Sequence, residues 1–238
     1  YKQSNSWQKH INNATTKHII GLSLSGNNLP PIELVIPSES SSLSNTRVLL
    51  IIEEDSRIEL SEVITGKHNS AQNHLIEVIL QENSTLNHEV LALGTEEEAK
   101  LLTQIEVEQK KHSKYSLTAI QQGWSFSRFE PQVIQCQGEA ETNLKILQIA
   151  IGNEEVGTYS LVRFEGPNGK LDQLQKALSN DSSHSIFNGA IKVPQEAQKT
   201  EASQLSRNLL LSKRATIDTK PELEIIADDV ICTHGATV

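Results

Sequence analysis

Short runs of alternating apolar and polar residues recur along this chain, and polar turns separate them. Val48-Leu49-Leu50-Ile51-Ile52, Ile76-Glu77-Val78-Ile79-Leu80 and Leu144-Lys145-Ile146-Leu147-Gln148-Ile149 have the period of two that predicts β-strands. Ile19 to Leu24 and Ile32 to Ile36 are expected to be the first strands, and Ser38 to Asn45 a loop. A recurring unit sits beside these runs: a polar residue, Ser or Thr, any residue, then a large apolar residue. It reads Asp55-Ser56-Arg57-Ile58, Asn83-Ser84-Thr85-Leu86, His112-Ser113-Lys114-Tyr115 and Glu141-Thr142-Asn143-Leu144, in steps of 28 or 29 residues. A small hydroxyl residue suits a tight turn because it can bond its own backbone. Each unit therefore predicts one coil of an all-β solenoid whose strands stack on the previous coil. An ordinary antiparallel sandwich is the weaker alternative, since its turns recur about every 8 to 12 residues. A hexapeptide solenoid lacks its signature here.

Residues 1–45 are expected to supply leading strands and loops, residues 46–238 the core, and residues 228–238 a closing motif. Two segments carry short helical signals. Thr95 with Glu98 spells a capping box, and Leu171, Leu174 and Leu178 are spaced by three and four. Each is expected to give one or two helical turns. Toward the C-terminus, Ile186-Phe187-Asn188-Gly189 predicts a strand ending in a turn. Short strands follow at Ala190 to Pro194, Asn208 to Ser212 and Pro221 to Ala227.

Composition supports a thin, extended core. Aromatic residues make up only 4% of the 238, and hydrophobic residues 37%. A net charge of −9, with no cluster of Lys or Arg, argues against nucleic acid and against anionic membrane surfaces. No apolar stretch approaches the roughly 18 residues of a membrane-spanning helix. Two cysteines far apart in sequence make no disulfide framework and point to a reducing compartment, expected to be the cytoplasm. The absence of Met and the end at Ala236-Thr237-Val238 lead us to expect a piece of a longer protein.

The chain has no phosphate-binding Gly-x-x-x-x-Gly-Lys-Ser/Thr, no Gly-x-Gly-x-x-Gly, no Gly-x-Ser-x-Gly, no His-Glu-x-x-His and no Cys-x-x-Cys. The sharpest positive signal is Cys232-Thr233-His234. On a strand, residues two apart project to one face, so a thiol and an imidazole stand side by side, suited to iron or zinc. Two ligands do not complete a site. The plainer reading has Cys232 packing inward beside Val230 and His234 capping a turn at Gly235. Glu222, Glu224, Asp228 and Asp229 form an acidic patch that reads first as a solvated face and second as acid/base machinery of a glycosidase type. The other histidines, at 10, 18, 68, 74, 88, 112 and 184, are scattered without ligand spacing. Trp124, Phe126 and Phe129 read first as core or coil-edge packing and second as an interaction surface.

Several segments together resemble one family: Phe187-Asn188-Gly189, Ala197-Gln198-Lys199-Thr200, Asn208 to Ser212, Lys220 to Ile225, and Ala227-Asp228-Asp229-Val230 followed by Cys232-Thr233-His234-Gly235-Ala236-Thr237. They look like the SufB/SufD family of the SUF iron–sulfur cluster assembly system, and within it SufD rather than SufB. The match is dense over 186–238 and collinear but sparser before it. The resemblance implies a right-handed parallel β-helix core whose flanking helical regions lie outside this sequence. It implies a non-catalytic scaffold, not an enzyme, that pairs with a SufB-like paralogue and a SufC-like ATPase; unpaired strand edges at the coil end add the expectation of a homodimer when the chain is alone. No tightly bound cofactor is implied, only a transient iron or Fe–S cluster shared with SufB. His234 is the implied ligand and Cys232 the weaker one. Asp228, Asp229, Val230, Thr233 and Gly235 are implied to face the partner. The family's histidines around 158–167 are missing here, and Ile231 stands where lysine is usual. A carbohydrate-active β-helix enzyme and a generic solenoid interaction module are the alternatives.

Overall fold

The computed structural model describes residues 6–94 and 98–237, so Thr95 of the capping box and Val238 of the closing motif lie outside the described residues. One helix, α1 (Trp7–Thr15), precedes the strands β1 (Ile19–Leu24), β2 (Ile32–Pro37), β3 (Leu43–Ile52), β4 (Arg57–Gly66), β5 (Ala71–Leu80), β6 (Thr85–Gly94), β7 (Lys100–Gln109) and β8 (Lys114–Gln122). The chain continues through β9 (Phe126–Gln135), β10 (Glu141–Ala150), β11 (Glu155–Phe164), β12 (Lys170–Ser179), β13 (His184–Val193), β14 (Glu201–Leu210), β15 (Thr216–Ile225) and β16 (Ile231–Thr237). Odd strands stack in one sheet and even strands in a second, all in parallel, so the chain is a β-solenoid. Alternate residues of each strand face the lumen between the sheets, and Val48, Leu50, Ile52, Ile58, Leu60 and Ile64 start its apolar core.

The predicted repeat is a corner between the two sheets. Asp55, Asn83, His112, Glu139, Asn168 and Lys199 each take the left-handed conformation two residues before an even strand. Each amide bonds the next corner: Asp55 N–H to the Glu82 carbonyl at 3.1 Å, Asn83 to Lys111 at 3.1 Å, and so on to Lys199 and Asp229 at 2.6 Å. The hydroxyl after the left-handed residue closes the turn, as Ser84 does on the Gln81 carbonyl at 2.7 Å and Thr200 on Ala197 at 2.8 Å. The fourth predicted unit is offset by two residues. Its corner is Glu139-Ala140, and Thr142 instead pairs with Tyr115 as a lumen residue.

Both helical expectations fail. Lys100–Gln109 and Lys170–Ser179 are strands, because every second residue there meets the lumen and pairs with both neighbouring coils. Gly189 makes no turn either. The strand His184–Val193 runs straight through it, and the missing side chain is needed for lumen packing. The strands expected at 208–212 and 221–227 are the ends of ten-residue strands, Glu201–Leu210 and Thr216–Ile225. The helix α1 lies within the stretch read as strands and loops. Its buried face is polar, which hides it from an apolar pattern. Lys9 bonds Glu77 at 3.0 Å and also Glu106, while the Asn12 amide donates to the Thr46 and Asn73 carbonyls at 3.1 and 3.0 Å on the outside of the odd sheet.

Candidate functional site

The closing segment forms the last rung of the even sheet. β16 pairs on one side with β14, in the register Ala202↔Cys232, Gln204↔His234 and Leu205↔Gly235, and its other side is the sheet's edge. This register sets the face on which Cys232 and His234 lie. Ala202 and Gln204 are lumen residues, so Cys232 and His234 both occupy lumen-facing positions at the final coil. Cys232 is half-buried and packs against the core beside Val230, which upholds the plainer reading of its packing. His234 stands exposed at the lumen mouth. Thr233 faces outward and lines a shallow groove of about 450 Å³ along the outside of the even sheet. Gly235 lies over Leu205.

Chemically the pair is unequal. Burial pushes the Cys232 thiol up, only partly offset by a backbone hydrogen bond at Ala202, so a soft metal would have to displace its proton. An imidazole nitrogen presents a lone pair without that cost when it is neutral. Among the described residues no three His, Cys, Asp or Glu side chains are arranged to hold a metal ion, so Cys232 and His234 are at most part of a ligand set.

The acidic patch does not form a catalytic pair. Glu224 bonds Lys192 at 2.8 Å, and Glu222 bonds Lys220, all on the exposed outside of the odd sheet. Asp228 and Asp229 sit in the corner ahead of β16. There the Asp229 carbonyl accepts from Lys199 and its amide donates to the Gln198 side chain at 2.9 Å. Trp124 and Phe129 are buried in the core, while Phe126 lines a groove beside α1.

The structure brings together a second constellation that histidine spacing does not reveal. His74 and His88, read as scattered, meet on one carboxylate deep in the lumen. Glu62 Oε1 lies 3.2 Å from His74 Nε2, Glu62 Oε2 lies 3.1 Å from His88 Nε2, and His88 Nδ1 lies 3.0 Å from the Tyr115 hydroxyl. Glu62 is 0% exposed. Burial alone would raise its pKa, but the charge and hydrogen bond of His74, with those of His88, hold it well below the usual carboxylate range. The Tyr115 hydroxyl is pushed well up by burial and by Glu62. The available sequence signal was a charged residue at an inward-parity position, Glu62 between Leu60 and Ile64.

Comparison with known proteins places this geometry. Residues 35–238 match the family described as SUF system FeS cluster assembly, SufBD core domain. The chloroplastic protein ABCI7 of Arabidopsis thaliana is 33% identical over 205 residues, which cover 84% of this chain and 43% of that protein. An iron–sulfur cluster assembly SufBD family protein of Synechocystis is 31% identical over 215 residues, covering 86% of this chain and 47% of its own length. The iron–sulfur cluster assembly protein SufD of Escherichia coli is 41% identical over 105 residues, 44% of this chain and 25% of that protein. The chain thus spans less than half the length of these relatives.

Proposed function

The chain belongs to the SufBD family of the SUF iron–sulfur cluster assembly system, and from that premise we propose that it is a SufD-type, non-catalytic scaffold whose C-terminal coil edge pairs with a SufB-like paralogue. One observation carries the reading: Cys232 and His234 sit at lumen-facing positions on an edge strand, where a second solenoid end can add the missing ligands. The edge is apolar enough to dock. Leu209, Ile226 and Ile231 are exposed there, Ile231 by 69%. Buried apolar surface contributes about 25 cal/mol per Å², so covering such residues favours association.

In this reading His234 holds iron or a nascent cluster in transit, and Cys232 assists only after losing its raised-pKa proton. Asp228, Asp229, Val230, Thr233 and Gly235 flank that contact. The sequence lacks a phosphate-binding loop, so nucleotide hydrolysis falls to a SufC-like ATPase. Two free cysteines fit a reducing compartment, the cytoplasm or a plastid stroma as for the chloroplastic relative. No described helix is long and apolar enough to cross a membrane. Without its paralogue the same edge is free to pair with a second copy.

The test is co-expression of the full-length protein with its paralogue and ATPase, followed by size-exclusion chromatography. A stable complex is expected, and elution only as a free monomer refutes the scaffold. His234→Ala should leave that complex intact while lowering cluster formation in cells. Normal activity of cluster-dependent enzymes in that strain removes His234 from the site.

A further inference from the structure

The lumen beneath His234 is occupied by a directed column of carboxamides. Gln173 and Gln204 hold equivalent inward positions on successive even strands, and His234 holds the next one. Gln173 Nε2 donates to the Ser160 hydroxyl at 2.7 Å, and Gln204 Nε2 donates to Gln173 Oε1 at 3.0 Å. Both amides thus donate toward the N-terminal end of the solenoid. Gln173 thereby uses its nitrogen on Ser160 and its oxygen on Gln204. A carboxamide that donates through its nitrogen still has its oxygen to accept with. The acceptor left at the top, Gln204 Oε1, has no hydrogen-bond partner although Gln204 is only 1% exposed. Buried acceptors without a partner are uncommon in native proteins and ask for an explanation.

The position is built rather than incidental. Gly189, on the facing sheet, leaves the space that the Phe187 ring and the Gln204 amide share, since a Cβ there would lie 2.4 Å from Phe187 Cζ and 2.5 Å from Gln204 Nε2. The notch leaves room for the amide, and the next rung of the even sheet lies one strand spacing away, about 4.8 Å. The side chain on that rung is the imidazole of His234.

We propose that Gln204 is a positioning residue for His234: its Oε1 accepts one ring N–H of the imidazole, so that the other nitrogen faces out of the lumen with its lone pair free. Gln173, Ser160 and the Gly189 notch support Gln204. A ligating histidine commonly donates its second ring nitrogen to a neighbouring acceptor, which sets the tautomer and strengthens the ligand. The inference rests on the reading of His234 as a ligand, and its test separates the two.

The experiment uses full-length protein in complex with its paralogue, titrated with Co²⁺ as a spectroscopic stand-in for ferrous iron. A second arm records long-range ¹⁵N spectra of selectively ¹⁵N-histidine-labelled protein. Loss of such a supporting partner costs roughly 10- to 100-fold in metal affinity, so Gln204→Met should weaken Co²⁺ by that factor and convert a single His234 tautomer into a mixture. Gln204→Glu keeps an acceptor and should restore both, which a purely structural role would not do. Gly189→Ala, which crowds the amide, should act like Gln204→Met. If His234→Ala weakens Co²⁺ but Gln204→Met changes neither affinity nor tautomer, the positioning role is overturned and the ligand reading stands. If His234→Ala itself leaves Co²⁺ binding unchanged, both are overturned.

Discussion

Two lumen sites in this solenoid carry imidazoles, and they are built in opposite ways. Near the N-terminal end, His74 and His88 converge on Glu62, every group is buried, and the network ends on Tyr115. At the C-terminal end, His234 stands at the lumen mouth over a column of neutral amides whose last acceptor is unspent. The first site has a charge and no access, and the second has access and no charge. A sealed carboxylate between two imidazoles holds neighbouring coils in register. An exposed imidazole above a free acceptor can be turned toward a ligand. Inward polarity in this fold thus occurs in two settings, one sealed among buried partners and one at the last described coil.

The comparison is broken most severely at the sealed site. Glu62→Ala leaves two buried imidazoles facing a cavity, and removing one partner of a buried ionic network costs about 3–5 kcal/mol. Urea denaturation should show a loss of that size; a change under about 1 kcal/mol would mean the site is not a stability element. The same carboxylate predicts a pH dependence. Its folded pKa lies below the ordinary 4.5, so its contribution is complete above that pH and is lost as pH falls below it. The stability gap between the native protein and Glu62→Gln should therefore narrow between neutral pH and pH values well below 4.5. Tyr115→Phe is the milder probe. It leaves His88 Nδ1 without its hydrogen-bond partner, at a cost of about 1–3 kcal/mol. At the open end, His234→Ala should shift stability by no more than about 0.5 kcal/mol, because an exposed edge residue has few contacts to lose. A large loss there would erase the distinction between the two sites. Lys192→Ala should likewise have little effect, since its exposed pair with Glu224 contributes about 0–1 kcal/mol.

Much of the architecture was legible because solenoid strands repeat a local rule. The period-two runs at Val48–Ile52, Ile76–Leu80 and Leu144–Ile149 lie within β3, β5 and β10, and the polar-Ser/Thr unit marks true corners at Ser56, Ser84 and Ser113. Legibility fails where one residue serves two masters. Leu171, Leu174 and Leu178 spell a helix by spacing, yet Gln173 and Gln175 between them are buried lumen residues bonded to other coils. Helix α1 escapes because it docks through polar bonds of Lys9 and Asn12, while its apolar residues Trp7 and Ile11 stay exposed.

The closing Cys232-x-His234 motif, its shared face and the family resemblance come from the sequence by itself, because residues two apart on a strand share a side whatever surrounds them. Only the tertiary structure decided what stands beneath them. The corners follow one another at 55, 83, 112, 139, 168 and 199, so coil length varies. A slip of one residue would turn every side chain of a strand to the opposite face. Which residues share a rung thus depends on the register summed over all preceding coils. That sum brings Glu62 to His88 and sets His234 above Gln204.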